Sequence, residues 1–260
     1  MPRAGSLTVV GTGIQLALHA TPQARAVLER AEDVLYLVTD PLAETWLRGL
    51  NPAARSLAGF YEVGKSRPET YTEMVEEILA SVRAGRNVAV AFYGHPGVFV
   101  DPGHEAVRRA REEGFPARML PAISAEDCLF ADLGIDPGDA GCQSYEATAF
   151  LTRGYEVEPA ALLVLWQIGF LGERSMPADK PRPPLGILVE RLLQVYPADH
   201  ETIVYEASPY VVSGPRVTRL PVSELADTEV DAMATLVVPP RVTRRDDPGM
   251  LARLGLPQPP

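Results

Sequence analysis

Cysteine is nearly absent from this sequence. Only Cys128 and Cys142 occur in 260 residues, and they form no CxxC pair. A disulfide scaffold needs several paired cysteines, and a structural zinc site needs cysteine or histidine ligands at short spacing. The sequence therefore argues against a disulfide scaffold and against a zinc site, and it predicts no metal site. Such cysteine usage is typical of a protein of the reducing cytoplasm.

Long apolar runs and an excess of positive charge are also missing. No apolar run approaches the ~20 residues that a membrane-spanning helix requires. The chain has 24 Lys and Arg against 34 Asp and Glu, which gives a formal net charge of -10. A protein that mainly binds a nucleic-acid backbone would carry the opposite excess. We expect neither a membrane nor a nucleic acid as partner.

Strand and helix signals alternate through the first half of the chain. With 46% hydrophobic residues, the chain can fill one large α/β core or two smaller ones. Regular alternation predicts a mostly parallel sheet covered on both faces. The predicted strands are 7–13, 34–39 and 87–92, and the predicted helices are 22–31, 68–84 and 102–113.

The second half predicts a less regular, mixed sheet. Its predicted helices are 125–133 and 185–195, and its predicted strands are 162–168, 202–206, 216–220 and 234–238. A proline-rich loop is expected at 177–184. We predict an N-terminal domain at 1–120, a C-terminal domain at 121–240 and a tail at 241–260.

A glycine loop, Phe92–Phe99, follows the apolar strand 87–92. In open α/β sheets, ligands bind beyond the carboxyl ends of the strands. Gly94 and Gly97 have no Cβ, so the backbone can approach a ligand closely. The loop predicts a binding site lined by Tyr93, His95 and Phe99.

Three segments together resemble the S-adenosylmethionine-binding parts of the tetrapyrrole (corrin/porphyrin) methylase superfamily: Leu7–Gly13, Phe92–Phe99 and Pro121–Asp127. Within that superfamily, Gly64–Tyr71 and Ser124–Pro137 resemble the borosin peptide backbone α-N-methyltransferases. The likeness extends from about Gly5 to Pro240. It implies a two-domain α/β fold, with a parallel-sheet N-terminal domain, a mixed-sheet C-terminal domain and the cofactor cleft between them.

The resemblance also implies the site residues and S-adenosylmethionine as cofactor. The catalytic positions are Tyr61, Arg67, Tyr71 and Tyr93. The implied cofactor contacts are Tyr93, His95, Val98, Phe99, Ser124, Gln167, Ala207, Ala234 and Thr235. Where fused members of the family have a further tyrosine, this chain has Ala58, which affects the expected hydrogen bonding to substrate.

Backbone methylation needs an activated amide, because the nitrogen lone pair is delocalised into the carbonyl. A cation on the carbonyl oxygen and a base for the N–H proton would provide this. Arg67 and Tyr71 share a helix face if the helix begins by Arg67. We expect the guanidinium and the cofactor's charge to lower a phenol pKa toward neutrality, with Tyr61 or Tyr71 as base.

The resemblance implies a partner as well. Fused members carry their substrate as a C-terminal extension with an apolar core, which is not seen up to Pro260. The expected type is therefore the split one, which methylates a separate ribosomal precursor peptide. A homodimer is expected, or a heterotetramer with two precursor chains.

Two rival functions stay open at this point. One is a tetrapyrrole or other small-molecule methylase that uses the same cofactor, and the other is a peptide-binding module without chemistry. Taken singly, Tyr71 is more often a core aromatic, and Arg67 is more often a surface charge. His95 alone is more often a loop residue that bonds the backbone.

Overall fold

The structure is a computed structural model that describes residues 4–175 and 182–257. These residues divide into two compact units. The first contains 4–135 together with two later pieces of chain, 173–175 and 207–216, and the second contains 136–172, 182–206 and 217–257. Most of the loop predicted at 177–184 lies outside the described residues.

The first unit contains a five-stranded sheet in which all the paired strands are parallel. The strand order is β3-β2-β4-β1-β5. The strands are β1 (Ser6–Gly11), β2 (Asp33–Leu37), β3 (Ala54–Ser56), β4 (Asn87–Phe92) and β5 (Ala117–Met119). The predicted parallel sheet is confirmed, and β4 has the predicted bounds.

Helices cover both faces of this sheet. They are α1 (Pro22–Arg30), α2 (Pro41–Leu50), α3 (Arg67–Arg83), α4 (Asp101–Glu112) and α5 (Ala125–Leu133). Apolar residues of α3 and α4 pack on one face with Leu7 and Val9, while α1 and α2 pack on the other with Val10. The sequence prediction omitted α2, β3 and β5.

The second unit contains a mixed sheet, as predicted, in the order β6-β7-β10-β8-β9. Its β6 is parallel to β7, whereas β10 is antiparallel to both β7 and β8. The elements are α6 (Pro137–Ala140), β6 (Cys142–Glu146), α7 (Ala147–Arg153), β7 (Leu162–Trp166), α8 (Leu185–Leu193), β8 (Glu201–Glu206), β9 (Arg216–Pro221), β10 (Thr235–Val238) and α9 (Pro248–Leu254). The prediction missed β6, α6, α7 and α9.

Two late pieces of chain are bonded to early residues within the first unit. The Arg67 N–H donates to the carbonyl of Arg174 at 3.1 Å, and the Leu16 N–H donates to that of Pro209 at 3.1 Å. The Tyr210 hydroxyl also donates to the carboxylate of Asp40. The start of α3 is thus ordered in part by chain more than a hundred positions away.

Candidate active site

The three segments that suggested a ligand site meet at the carboxyl edge of the first sheet. A Cβ added to Gly11, the last residue of β1, would lie 2.1 Å from the Gly94 oxygen, 2.6 Å from the Ala122 Cβ and 2.8 Å from the Pro96 Cδ. Gly13 and Gly94 exchange N–H···O bonds of 3.1 and 3.2 Å. Only a residue without a side chain fits at Gly11, so the backbone forms a tight cradle here.

The rest of the glycine loop is held by its own histidine. The Gly97 N–H donates to Nδ1 of His95 at 3.0 Å, so His95 has a structural partner. Val98 and Phe99 follow with 37% and 47% of their surface exposed, and Phe99 has a φ of 55°. A left-handed backbone at an aromatic residue is strained, and such strain clusters at ligand sites. These exposed apolar side chains are available to contact a ligand.

Tyr93 lies half-buried immediately after β4. Its N–H donates to the Leu37 carbonyl at 3.1 Å, which fixes the backbone at the end of β2. Burial raises the pKa of its phenol to about 12, and the Cys128 thiol adds to the effect. At neutral pH the Tyr93 hydroxyl is therefore protonated and able to donate a hydrogen bond.

The structure brings Tyr61, Arg67 and Tyr71 together. Arg67 is the first residue of α3, as its pairing with Tyr71 requires, and Ser66 caps the helix. Tyr71 and Arg67 both lie close enough to Tyr61 to affect the pKa of its phenol. Both rings pack on the apolar cluster that also contacts Leu37. The family resemblance implies a common role for these three residues, and the fold gives them a common location.

The expected direction of the Tyr61 pKa is wrong for the protein's own groups. Burial raises the pKa of Tyr61 well above its usual value, and the neighbouring Tyr71 raises it further. Arg67 lowers it, as we expected, but by less than these two effects. The sequence shows the guanidinium but not the burial of the ring, which is why the net direction was misjudged.

Lysine 65 fixes the segment that carries Tyr61 against α3. Its Nζ donates to the Phe60 carbonyl at 3.3 Å and to Oε2 of Glu73 at 2.5 Å. Ala58, where the related family has a tyrosine, lies exposed at the start of a 3-10 turn, Ala58–Phe60. The segment is therefore positioned by the partly buried ammonium group of Lys65, without a side chain from Ala58.

Ser124 is buried at the start of α5, where it forms a capping box with Asp127. Its Oγ donates to Oδ2 of Asp127 at 2.7 Å and accepts the Asp127 N–H at 3.2 Å. These bonds satisfy donors at the helix N-terminus. The predicted contact of Ser124 with cofactor stays a prediction beside this structural role.

Within the second unit, Gln167, Ala234 and Thr235 come together. Gln167 follows β7 with a φ of 60°, and the next residue, Ile168, donates its N–H to the Ala234 carbonyl at 3.1 Å. Thr235 is the first residue of β10 and is buried. Ala207, which directly follows β8, belongs to the first unit.

Comparison with known proteins identifies the family. The family model described as Tetrapyrrole (Corrin/Porphyrin) Methylases matches residues 6–208. The chain belongs to the tetrapyrrole methylase family. The superfamily predicted from the three segments Leu7–Gly13, Phe92–Phe99 and Pro121–Asp127 is thereby confirmed.

Curated relatives of this tetrapyrrole methylase are fungal. The protein named methyltransferase/ribosomally synthesized cyclic peptide gymnopeptides precursor, from Gymnopus fusipes, is 42% identical over 98% of this chain and 62% of its own length. The corresponding omphalotin A precursor from Omphalotus olearius is 41% identical, with the same coverage. The chain spans about three fifths of the length of these relatives.

Solved structures confirm the fold. The uroporphyrin-III-C-methyltransferase from Thermus thermophilus superposes with a TM-score of 0.66 at 24% identity, covering 98% of each chain. A diphthine synthase superposes with a TM-score of 0.63 at 14% identity, covering 92% of this chain and 91% of that one. The two-sheet α/β architecture of this tetrapyrrole methylase is therefore shared with both.

No metal-ligand cluster is found in the parts of this methylase that the structure describes. Residues 4–175 and 182–257 hold no group of three or more His, Cys, Asp or Glu arranged to bind a metal. Burial raises the pKa of Cys128 to about 11, which keeps its thiol protonated. None of the helices in these ranges is both long and apolar enough to span a bilayer.

Sequence reasoning missed the roles of Gly11 and of the late segment 173–175. Gly11 lies in the segment Leu7–Gly13 that was expected near the cofactor, but its role as the point where three segments touch was not foreseen. The glycine itself was the available signal, but its partners lie about eighty and a hundred and ten positions away. Arg174 accepts the N–H of Arg67 through its backbone, which carries no sequence signature.

Proposed function

We propose that this chain transfers methyl groups from S-adenosylmethionine to backbone amide nitrogens of a ribosomal precursor peptide supplied as a separate chain. The observation that carries the proposal is the cluster of Tyr61, Arg67 and Tyr71 at the start of α3. Relatives with about 40% identity support it, since their printed names join a methyltransferase to a peptide precursor.

The residues of the first unit fit the proposed cofactor. The cradle at Gly11 and Gly94 leaves backbone groups without covering side chains, and Val98 and Phe99 add exposed apolar surface for an adenine ring. Tyr93, His95 and Ser124 would line the same loops, with Ala207, Gln167, Ala234 and Thr235 as the remaining predicted contacts. When bound, S-adenosylmethionine supplies an electrophilic methyl carbon on a sulfonium centre.

Arg67 and the phenols would activate the amide. A guanidinium that donates to the substrate carbonyl oxygen stabilises the negative charge that develops there as the N–H proton leaves. That proton passes from the amide nitrogen to the phenolate oxygen of Tyr61 or Tyr71. Tyr93, protonated because its pKa is raised to about 12, would donate a hydrogen bond that orients the reacting group.

Intact mass spectrometry tests the proposal. We expect a separate peptide with an apolar core to gain successive methyl masses when it is incubated with enzyme and S-adenosylmethionine, and fragmentation should place them on backbone nitrogens. Arg67→Ala and Tyr93→Phe should each lower turnover by about 10²-fold or more, the size typical of losing one fixed donor.

The control is Arg108→Ala, because Arg108 lies on α4 and pairs with Glu105 and Glu112 on the same helix. Its turnover should equal that of wild type, and circular dichroism should show all variants folded. Wild-type rates in Arg67→Ala and Tyr93→Phe would remove those roles. A peptide that binds without gaining mass would favour a binding module, and methylation of a tetrapyrrole instead would favour the small-molecule rival.

The homodimer expected from the resemblance stays part of the proposal. Light scattering on the purified chain, with and without precursor peptide, distinguishes a monomer, a dimer and a heterotetramer by mass. A monomer in both samples would contradict it.

A further inference from the structure

A second concave site lies on the opposite face of the first sheet from Tyr61 and Tyr71. It is a groove of about 300 Å³ between α1 and the edge strand β5. Thr8 and Asn87 come from β1 and β4, and Arg118 comes from β5. The side formed by α1 contributes Gln23, Ala26, Val27 and Arg30.

The groove exists because α1 does not reach the edge of the sheet. Helix α1 packs through Ala24 and Leu28 on residues of β1 and β4. Strand β5 is only three residues long and lies beyond β1, with Arg118 in register with Thr8. The side chains of a register pair lie on the same sheet face. Arg118 therefore stands beside α1 without a helix over it.

The groove is basic although the protein is acidic. The chain has a net charge of -10, yet the charged residues that line the groove are Arg30 and Arg118. Within residues 4–175 and 182–257, neither of them has a carboxylate within ion-pair distance, whereas Arg25 on the same helix pairs with Glu29 at 2.8 Å. Two arginines that line one groove and have no ion-pair partner among the described residues favour a negatively charged occupant.

The polar residues of the groove add a donor. Oδ1 of Asn87 accepts from the Ser6 hydroxyl at 3.1 Å, which leaves its NH₂ group as the part that can face an occupant. Glu32 lies next to Asn87, and its Oε2 already accepts the Asn87 N–H at 2.7 Å. The groove therefore offers mainly hydrogen-bond donors, as a carboxylate requires.

The shape of the groove favours a peptide over a small ion. The α1 side runs from Gln23 to Arg30, which is about 10 Å at 1.5 Å per residue. Three extended residues span the same distance. A volume of about 300 Å³ is also far larger than one carboxylate or phosphate needs, and it is at the lower end for organic ligands.

We propose that this groove binds an acidic segment of the separate substrate peptide, outside the stretch that is methylated. The inference rests on the proposed function for the identity of the peptide, and on the groove itself for its charge. The groove would then be a second binding site for a long substrate. Successive amides could reach the proposed methylation site at Tyr61 and Tyr71 while the acidic segment stays bound.

Fluorescence anisotropy on the full chain tests the groove directly. The probes are a labelled glutamate-rich pentapeptide and its glutamine counterpart, each measured at low and at moderate salt. We expect wild type to bind the acidic probe. The double variant Arg30→Gln/Arg118→Gln should bind it with an affinity lower by about tenfold or more. Arg25→Gln is the matched control and should bind as wild type does, and thermal melting should show both variants folded.

Two outcomes would overturn the proposal. The first is equal binding of the acidic probe by wild type and the double variant. The second is displacement of the probe by inorganic phosphate at comparable concentration, which would make the groove a small-anion site. Loss of probe binding in the double variant, with no methylation of any peptide by wild type, would support the groove while refuting the proposed function.

Discussion

Replacing Gly11 by alanine should separate the glycine cradle from the rest of the fold. The added methyl would lie 2.1 Å from the Gly94 oxygen, against backbone that cannot rotate away. Ordinary contacts need more than about 3 Å, so the loop must retreat by about 1 Å. That movement acts directly on the pair of bonds between Gly13 and Gly94.

The expected size follows from two general costs. Overpacking of this kind destabilises a protein by about 1 to 3 kcal/mol. A displacement of about 1 Å at a reacting group can lower a rate by about 10²-fold. We therefore expect Gly11→Ala to bind S-adenosylmethionine at least tenfold more weakly. Its turnover should fall by about 10²-fold, while its free energy of unfolding should fall by about 1 to 3 kcal/mol.

Titration calorimetry with S-adenosylmethionine measures the affinity, and urea unfolding measures the stability. The matched control is Gly49→Ala in α2, where an added Cβ meets nothing within 4 Å. Because alanine is the better helix former, that variant should be unchanged in affinity and slightly more stable. If Gly11→Ala bound the cofactor within about twofold of wild type, the cradle would not be the cofactor site.

Two further predictions concern titrating groups. Burial alone would raise the pKa of Asp33, but hydrogen bonds from Arg55 and Ser81 lower it below its ordinary value. Its stabilising effect is thus present above the unfolded-state pKa near 4 and is lost as pH falls through the folded-state value. In urea unfolding, Asp33→Asn should cost about 1 to 3 kcal/mol at pH 7 and much less in acid; equal costs would contradict this. Under the proposed function, turnover should rise toward alkaline pH, because the base must first lose a proton. Whichever of Tyr61→Phe and Tyr71→Phe flattens that profile identifies the base, and a slope kept in both would exclude the phenols.

Elements with strong local signals were predictable from sequence. Helix α5 has the predicted bounds, 125–133, because Ser124 and Asp127 form its capping box and Gly134 ends it in the left-handed conformation. Helix α2 carries a similar signal, since Asp40 caps it and Pro41 is its first residue. That signal was present and was overlooked.

Elements that depend on distant partners were not predictable. Strand β3 has three residues and exists through its pairing with β2. Strand β6 reads Cys142–Glu146, with no fully buried residue, and it pairs with the wholly buried β7. In both strands the pairing, rather than residue preference, determines the conformation.

The candidate active site also has features that were predictable from local sequence and features that were not. Glycines in a loop after a buried strand indicated where a ligand binds, and that indication needs no knowledge of distant residues. Helix α3 begins at Arg67, one residue before the predicted start, which meets the condition under which Arg67 and Tyr71 share a helix face. The protonation of Tyr61 depends on how deeply its ring is buried, which is a property of the folded chain, and there the expectation was wrong.

The late segments that bond to Arg67 and Leu16 impose an order on biosynthesis. A ribosome delivers the first 135 residues long before Arg174 and Pro209, whose carbonyls those N–H groups require. The nascent chain can pair its parallel strands early, but the first N–H of α3 lacks its partner until Arg174 has been translated, and the Leu16 N–H lacks its partner until Pro209 has been translated. Completion of the amino-terminal half therefore depends on residues translated much later, and truncating the gene after residue 135 should yield a polypeptide with exchange-labile amides at both places.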